Sequence, residues 1–185
     1  MILPNFVVVE GLDGVGKTTL AKFLQDKLGY IYMYSLPQRF IDLRHELLAS
    51  ANGHVQFLYY LSGVLAVQDE LRECLKQGNR VVMDRYIYTT LAYHQALRVD
   101  TTFVSLAKLP IIWPDRCILL IASEETRLER LCKRKGGVEP KDTNAEFTRL
   151  AQEALFTMLS SSVVDTDKKS AHDVFEEVKM RVSDA

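Results

Sequence analysis

The stretch FVVVEGLDGVGKTTL, residues 6 to 20, constrains this chain more than any other. A β-branched run ends in a glutamate, a turn carrying Gly11, Gly14 and Gly16 follows, and Lys17-Thr18-Thr19 opens a segment with helical periodicity. The spacing satisfies G-x-x-x-x-G-K-[ST], the P-loop. Glycines let the backbone curl until successive N–H groups face inward, and the next helix adds its positive end, so the turn cradles phosphate. Lys17 then reaches the β- and γ-phosphates of a nucleoside triphosphate, and the Thr18 hydroxyl is a ligand for Mg²⁺.

A strand-turn-helix of this kind needs parallel neighbours, and the rest of the chain supplies them. Apolar runs at 30 to 35, 80 to 84, 116 to 122 and 162 to 165 alternate with amphipathic segments, the pattern of a parallel sheet with helical crossovers. The runs are continuous where helices cover both faces. Helices are expected over 17 to 28, near 40 to 50, as one long element over 55 to 78, over 123 to 135, from 144 to 159, and over 173 to 182. The expectation is an α/β chain with a five-stranded parallel sheet, folded as one domain over residues 1 to 185.

Composition excludes other classes. Hydrophobic content of 48% and charged content of 25% fit an ordinary globular enzyme. A net charge of -1 gives no electrostatic case for a nucleic-acid partner. No apolar run approaches membrane-spanning length and MILPNFVVVE has no signal-peptide pattern, so a cytoplasmic protein with no membrane partner is expected. Cys74, Cys117 and Cys132 lack the spacing of a disulfide framework or zinc site.

A second motif, DRYIYTTLAYHQA, follows the third strand. An aspartate ending a strand next to the P-loop, Asp84, suits a water of the Mg²⁺ shell, and Arg85 is placed to grip a second phosphate. An Asn-Lys-x-Asp guanine reader is missing, which argues against a GTPase.

With both motifs in hand the sequence resembles the thymidylate kinase family of P-loop nucleoside monophosphate kinases. The resemblance rests on Glu10-Gly11-Leu12-Asp13-Gly14-Val15-Gly16-Lys17-Thr18-Thr19, Leu36-Pro37-Gln38-Arg39-Phe40, Asp84-Arg85-Tyr86 with Ala92-Tyr93, and a basic segment after the fourth strand. It implies the P-loop kinase fold with a short lid at about 133 to 143, ATP as phosphate donor, Mg²⁺, dTMP as acceptor, and a homodimer. It also implies that Gly11 to Thr19 and Arg130 hold the donor nucleotide. Asp13 would face the acceptor's 3′-hydroxyl region and the metal, and Arg85 the acceptor phosphate. Tyr93 would flank the sugar, Thr90 the base edge, and Tyr59 would lie under the base, with Pro37 and Arg39 opposite.

The sequence departs from the family at three places: Gly63 stands where a base-reading arginine is usual, Leu36 replaces an aromatic or phosphate-contacting residue, and His94 replaces a polar neighbour of Tyr93. These departures keep open a kinase of the same fold acting on another nucleotide, a deoxynucleoside or a small metabolite. A nucleotide-binding protein without catalysis is the third reading.

In SEETRLERLCKRKGG, Arg127, Arg130 and Arg134 recur at i, i+3 and i+7 and share one helix face. The P-loop carries Gly14 and Val15 where some members have a catalytic arginine. Charge for the transition state then falls to Lys133, Arg134 or Lys135, with Arg134 the catalytic candidate.

Overall fold

The structure, a computed structural model, describes residues 3–49, 51–134 and 137–183. Its sheet has the strand order β2-β3-β1-β4-β5, with β1 (Phe6–Glu10) at the centre between β3 (Val81–Asp84) and β4 (Arg116–Ile121). β2 (Ile31–Tyr34) and β5 (Val163–Asp165) form the edges, and every pairing is parallel.

β1 is buried throughout because both of its faces are covered. Val7 and Val9 pack under α1 (Lys17–Leu28) and α8 (Ala171–Ser183), meeting Leu20, Leu24, Phe175 and Val178. Phe6 and Val8 point the other way, into a core made by α3 (Gly53–Ala66), α4 (Gln68–Lys76) and α5 (Ile87–Ala96). Alternation along the strand thus serves two apolar layers, and each fully buried Val, Leu or Phe contributes about 1.5–3 kcal/mol. The remaining helices are α2 (Gln38–Leu48), α6 (Glu124–Lys133) and α7 (Ala145–Leu159). Among the described residues no helix is long and apolar enough to cross a membrane.

The long helix expected over 55 to 78 is instead two, α3 and α4, divided at Val67. Gln68 explains the break. Its buried amide donates to Val64 O at 2.7 Å and to the Tyr86 hydroxyl at 2.8 Å, while its Oε1 accepts from Ile112 N at 2.8 Å. The Gln68 side chain thus occupies the carbonyl four residues back, to which a continuous helix would offer the Gln68 backbone N–H.

Candidate active site

Because β1 and β3 are parallel neighbours with Val9 opposite Asp84, the turns leaving their C-terminal ends lie side by side. One carries the phosphate loop, the other Asp84-Arg85. Gly11, Gly14 and Gly16 all have positive φ. At Gly14 a side chain is also excluded by contact, since a Cβ would come within 2.7 Å of the Arg127 carbonyl oxygen in α6. The loop is therefore clamped between α1 and the basic helix.

Among the described residues, three cavities border this loop. The first, ≈ 510 Å³, is lined by Asp13, Gly14, Gly16, Lys17, Thr18 and Thr19 from the loop and α1. Asp84, Arg85, Arg130 and Arg134 close it. Gly11, Leu12 and Val15 support the loop from behind: Leu12 and Val15 are buried, and the Leu12 carbonyl accepts from Lys17 Nζ at 2.6 Å. Burial, reinforced by the neighbouring Arg85 charge, brings the Lys17 ammonium down to about 8 despite Asp13, Asp84 and Glu10 nearby. An anionic ligand would restore what burial removes.

Thr18 Oγ1 donates to Asp84 Oδ2 at 2.5 Å, and Asp84 Oδ1 is buried with no hydrogen-bond partner. A buried carboxylate oxygen left over beside a hydroxyl at the mouth of a phosphate-sized cavity fits a hard divalent cation that takes its other ligands from phosphate and water.

On the far side of the loop a smaller cavity, ≈ 220 Å³, lies between Val15, Leu20, Arg130, Thr166, Lys169 and Val174. Arg130 holds its wall, donating to Thr166 Oγ1 and to Thr166 O, each at 2.9 Å. Arg127, on the same stripe of α6, is only 2% exposed and lines neither space.

The other large cavity, ≈ 400 Å³, shares Asp13, Tyr34, Arg85 and Arg134 with the first and runs along α5 past Thr89, Thr90, Tyr93 and His94. Arg85 adopts φ 65, a conformation that costs a branched or bulky residue and needs support. Glu10 gives it. Buried at the end of β1, its Oε1 accepts from Tyr86 N at 2.9 Å and Thr89 N at 3.1 Å, and its Oε2 from the Thr89 hydroxyl. The carboxylate caps α5, whose own cap residue offers no side-chain bond, and so fixes the turn that aims Arg85. Burial pushes the Glu10 carboxyl up.

Arg85 Nη2 contacts Asp13 Oδ1 directly, while Lys141 Nζ lies 3.3 Å from Asp13 Oδ2. Burial alone would raise the Asp13 carboxyl; Arg85, Lys17 and Lys141 together outweigh it and hold the group well below the ordinary carboxylate range. Tyr93 closes this corner, with the Arg85 guanidinium 5.4 Å and Lys141 Nζ 5.7 Å from its ring centre.

Several expected residues are elsewhere. Tyr59 does not line the cavity along α5: its hydroxyl donates to Phe40 O and its ring packs 5.6 Å from Phe40. One step along α3, a rotation of about 100°, Tyr60 takes the cavity-facing place. Pro37 and Arg39 are also outside the lining; Arg39 is exposed, its guanidinium 5.9 Å from the Phe40 ring, because α2 starts at Gln38 and turns it outward. Arg44, on a different face of α2, lines the cavity instead. Thr90 and Tyr93 both line this cavity. Of the basic candidates, Lys133 pairs with Glu129 at 2.5 Å, Arg134 borders both large cavities, and Lys135 lies outside the described residues, as does Gly136.

Two of the sequence departures are one structural feature. A Cβ at Gly63 would come within 2.5 Å of Leu36 Cδ1, so the leucine fills the room that a side chain on α3 would need.

A family model, "Thymidylate kinase", matches residues 9–178. The chain is 32% identical to a probable thymidylate kinase of Methanocaldococcus jannaschii, over 96% of this chain and 95% of the relative. It is 30% identical to that of Methanococcus aeolicus, over 97% and 96%. The thymidylate kinase structure from Candida albicans superposes with a TM-score of 0.78 at 20% identity, covering 98% of this chain and 92% of the other. That from Ehrlichia chaffeensis gives 0.76 at 17%, covering 98% and 100%. These two establish the fold, the five-stranded P-loop kinase sheet, and the sequence matches extend across nearly all of it. The chain belongs to the thymidylate kinase family.

Proposed function

We infer that this protein is a phosphotransferase that moves the γ-phosphoryl group of ATP to dTMP, releasing ADP and dTDP. The observation that carries the reading is the meeting of two cavities at Asp13, Arg85 and Arg134, one floored by the phosphate loop and the other running along α5. ATP would lie with its phosphates over Lys17 and its base in the small cavity beside Arg130 and Thr166. The acceptor phosphate would reach Arg85, with its sugar by Tyr93 and its base beyond Thr90.

In this arrangement an oxygen of the acceptor phosphate attacks the γ-phosphorus as the bond to the β,γ-bridging oxygen breaks. No protein base is needed, because the acceptor is already an anion. Asp13, held ionised by three cations, is a poor base and serves to fix Arg85. Thr18 and Asp84 would hold Mg²⁺, which would neutralise part of the charge on the donor phosphates. Residues 133 to 143 would act as the lid that excludes water. Arg134→Ala is expected to lower kcat by ~10² or more with little change in nucleotide affinity, since its charge is wanted at the transition state. Steady-state kinetics with direct nucleotide binding checks this, and unchanged turnover would take Arg134 out of the mechanism.

The reaction itself is tested by ADP release from Mg²⁺-ATP with a panel of nucleoside monophosphates, nucleosides and no acceptor. A dTMP rate no better than the blank would overturn the assignment. The filled position at Gly63 favours a second reading, the same transfer to another acceptor, which the panel would reveal. A cytoplasmic homodimer is consistent with the apolar side chains of Leu43, Leu47, Val55 and Leu58 exposed on α2 and α3, and sedimentation velocity would read its mass.

A further inference from the structure

With the space at Gly63 taken by Leu36, the usual route to reading the acceptor's base is missing, yet a buried imidazole lines the cavity along α5. His94 is 3% exposed and sits in the last turn of α5, a helix of 10 residues and so about 15 Å long, whose N-terminal end carries Arg85. A nucleotide with its phosphate on Arg85 must lay its base toward the other end of that helix, where Thr90 and His94 line the wall.

The ring is locked. Nδ1 lies 2.6 Å from the Thr90 carbonyl oxygen, and the ring packs 5.3 Å from Phe57 and 5.9 Å from Tyr60. A carbonyl oxygen only accepts, so Nδ1 carries the hydrogen. Burial, partly opposed by that bond, lowers the proton affinity of the ring and keeps it neutral. Nε2 is then a lone pair with no donor to give, whereas the Thr90 hydroxyl, whose bond to Tyr86 O is long at 3.5 Å, can keep that bond and accept or turn and donate, and so discriminates weakly.

We propose that His94 Nε2 is the specificity-determining acceptor for the ring N–H of the bound pyrimidine, selecting thymine and uracil and rejecting cytosine. The proposal rests on the reading of the α5 cavity as the acceptor site. Thymine and uracil present N3–H to Nε2; cytosine presents a lone pair at N3, and two buried acceptors face each other unpaired. A site that leaves a buried polar group without its partner discriminates far better than an apolar pocket does, so wild-type kcat/KM for dCMP should fall ~10² or more below that for dTMP. N3-methyl-dTMP should be penalised similarly.

The test compares dTMP, dUMP, dCMP and N3-methyl-dTMP by ADP release on wild type, His94→Phe and His94→Gln. Phe keeps a ring against Phe57 and Tyr60 but offers no acceptor, so the dTMP/dCMP ratio and the N3-methyl penalty should both shrink to a few-fold. Gln can present its amide as a donor, so kcat/KM for dCMP should rise above wild type. A merely structural role would lower all acceptors in proportion and leave the ratio unchanged, which would overturn the proposal. Equal use of dTMP and N3-methyl-dTMP by wild type would overturn it without any variant. Wild type turning over no pyrimidine monophosphate would instead strike the acceptor reading beneath it.

Discussion

Replacing Lys17 by alanine is expected to lower kcat by ~10³ or more, the largest loss any single change in the donor cavity should produce. Lys17 is 6% exposed, and burial has already weakened its hold on its proton; the ammonium donates to the Leu12 carbonyl and feels the charges of Asp13, Asp84 and Glu10. Those contacts are what an incoming phosphate replaces. Charge that builds on the β,γ-bridging oxygen as the bond breaks meets a cation that needs no reorganisation, the condition under which one group contributes most. Lys17 does not line the α5 cavity, so dTMP binding measured by calorimetry should stay near wild type. ADP release with Mg²⁺-ATP and dTMP is the measurement. Turnover within tenfold of wild type would remove Lys17 from the reaction, and loss of dTMP binding as well would mark a folding defect. A nucleotide sensor, by contrast, would have no turnover to lose.

What the sequence discloses depends on how local its cause is. The strand-turn-helix from Phe6 to Leu28 is written in glycine positions and apolar periodicity that act over a few residues, and the five strands follow from the same kind of signal. Helix phase is less local. Tyr59 and Tyr60 are adjacent and chemically identical, and only the packing of α3 against Phe40 and α5 decides which ring faces the cavity. The break at Val67 likewise depends on Tyr86 and Ile112, residues far along the chain that draw Gln68 inward. Glu10 reads as the polar end of a strand, and only the arrival of α5 makes it a cap. Lys141, in the loop-like GGVEPKD, carries no motif; its ion pair with Asp13 exists because the short turn at Pro140–Thr143 folds back over the P-loop. The arginine stripe on α6 shows the converse, a regular pattern whose members diverge in burial once the helix is docked.

Arg85→Lys keeps the charge and is nevertheless expected to reduce kcat/KM for dTMP by ~10² or more. The guanidinium's value lies in its planar fork. One nitrogen is committed to Asp13, while the other has the Gly11 carbonyl, Thr89 Oγ1 and Tyr93 hydroxyl around it at 3.4–3.5 Å, all of them long. Long contacts of that kind orient the group without satisfying it, which leaves donors for a phosphate placed between the two cavities. A lysine ammonium is a single point on a flexible stem: bound to Asp13 it cannot also span the acceptor phosphate, and released from Asp13 it leaves the carboxylate with Lys141 as its direct ion-pair partner and Lys17 further off. Arg85→Ala should go further and unfold more readily, because removing one member of a largely buried pair costs about 3 kcal/mol or more when the other stays charged, and Lys17 and Lys141 remain to favour the ionised form of Asp13. Adding Asp13→Asn to the alanine variant should recover part of that stability and none of the turnover. Thermal unfolding separates the two effects from the kinetics. If Arg85→Lys kept kcat/KM within fivefold, charge alone would suffice at this position, and the geometry that Glu10 builds around the left-handed Arg85 turn would have no bearing on catalysis.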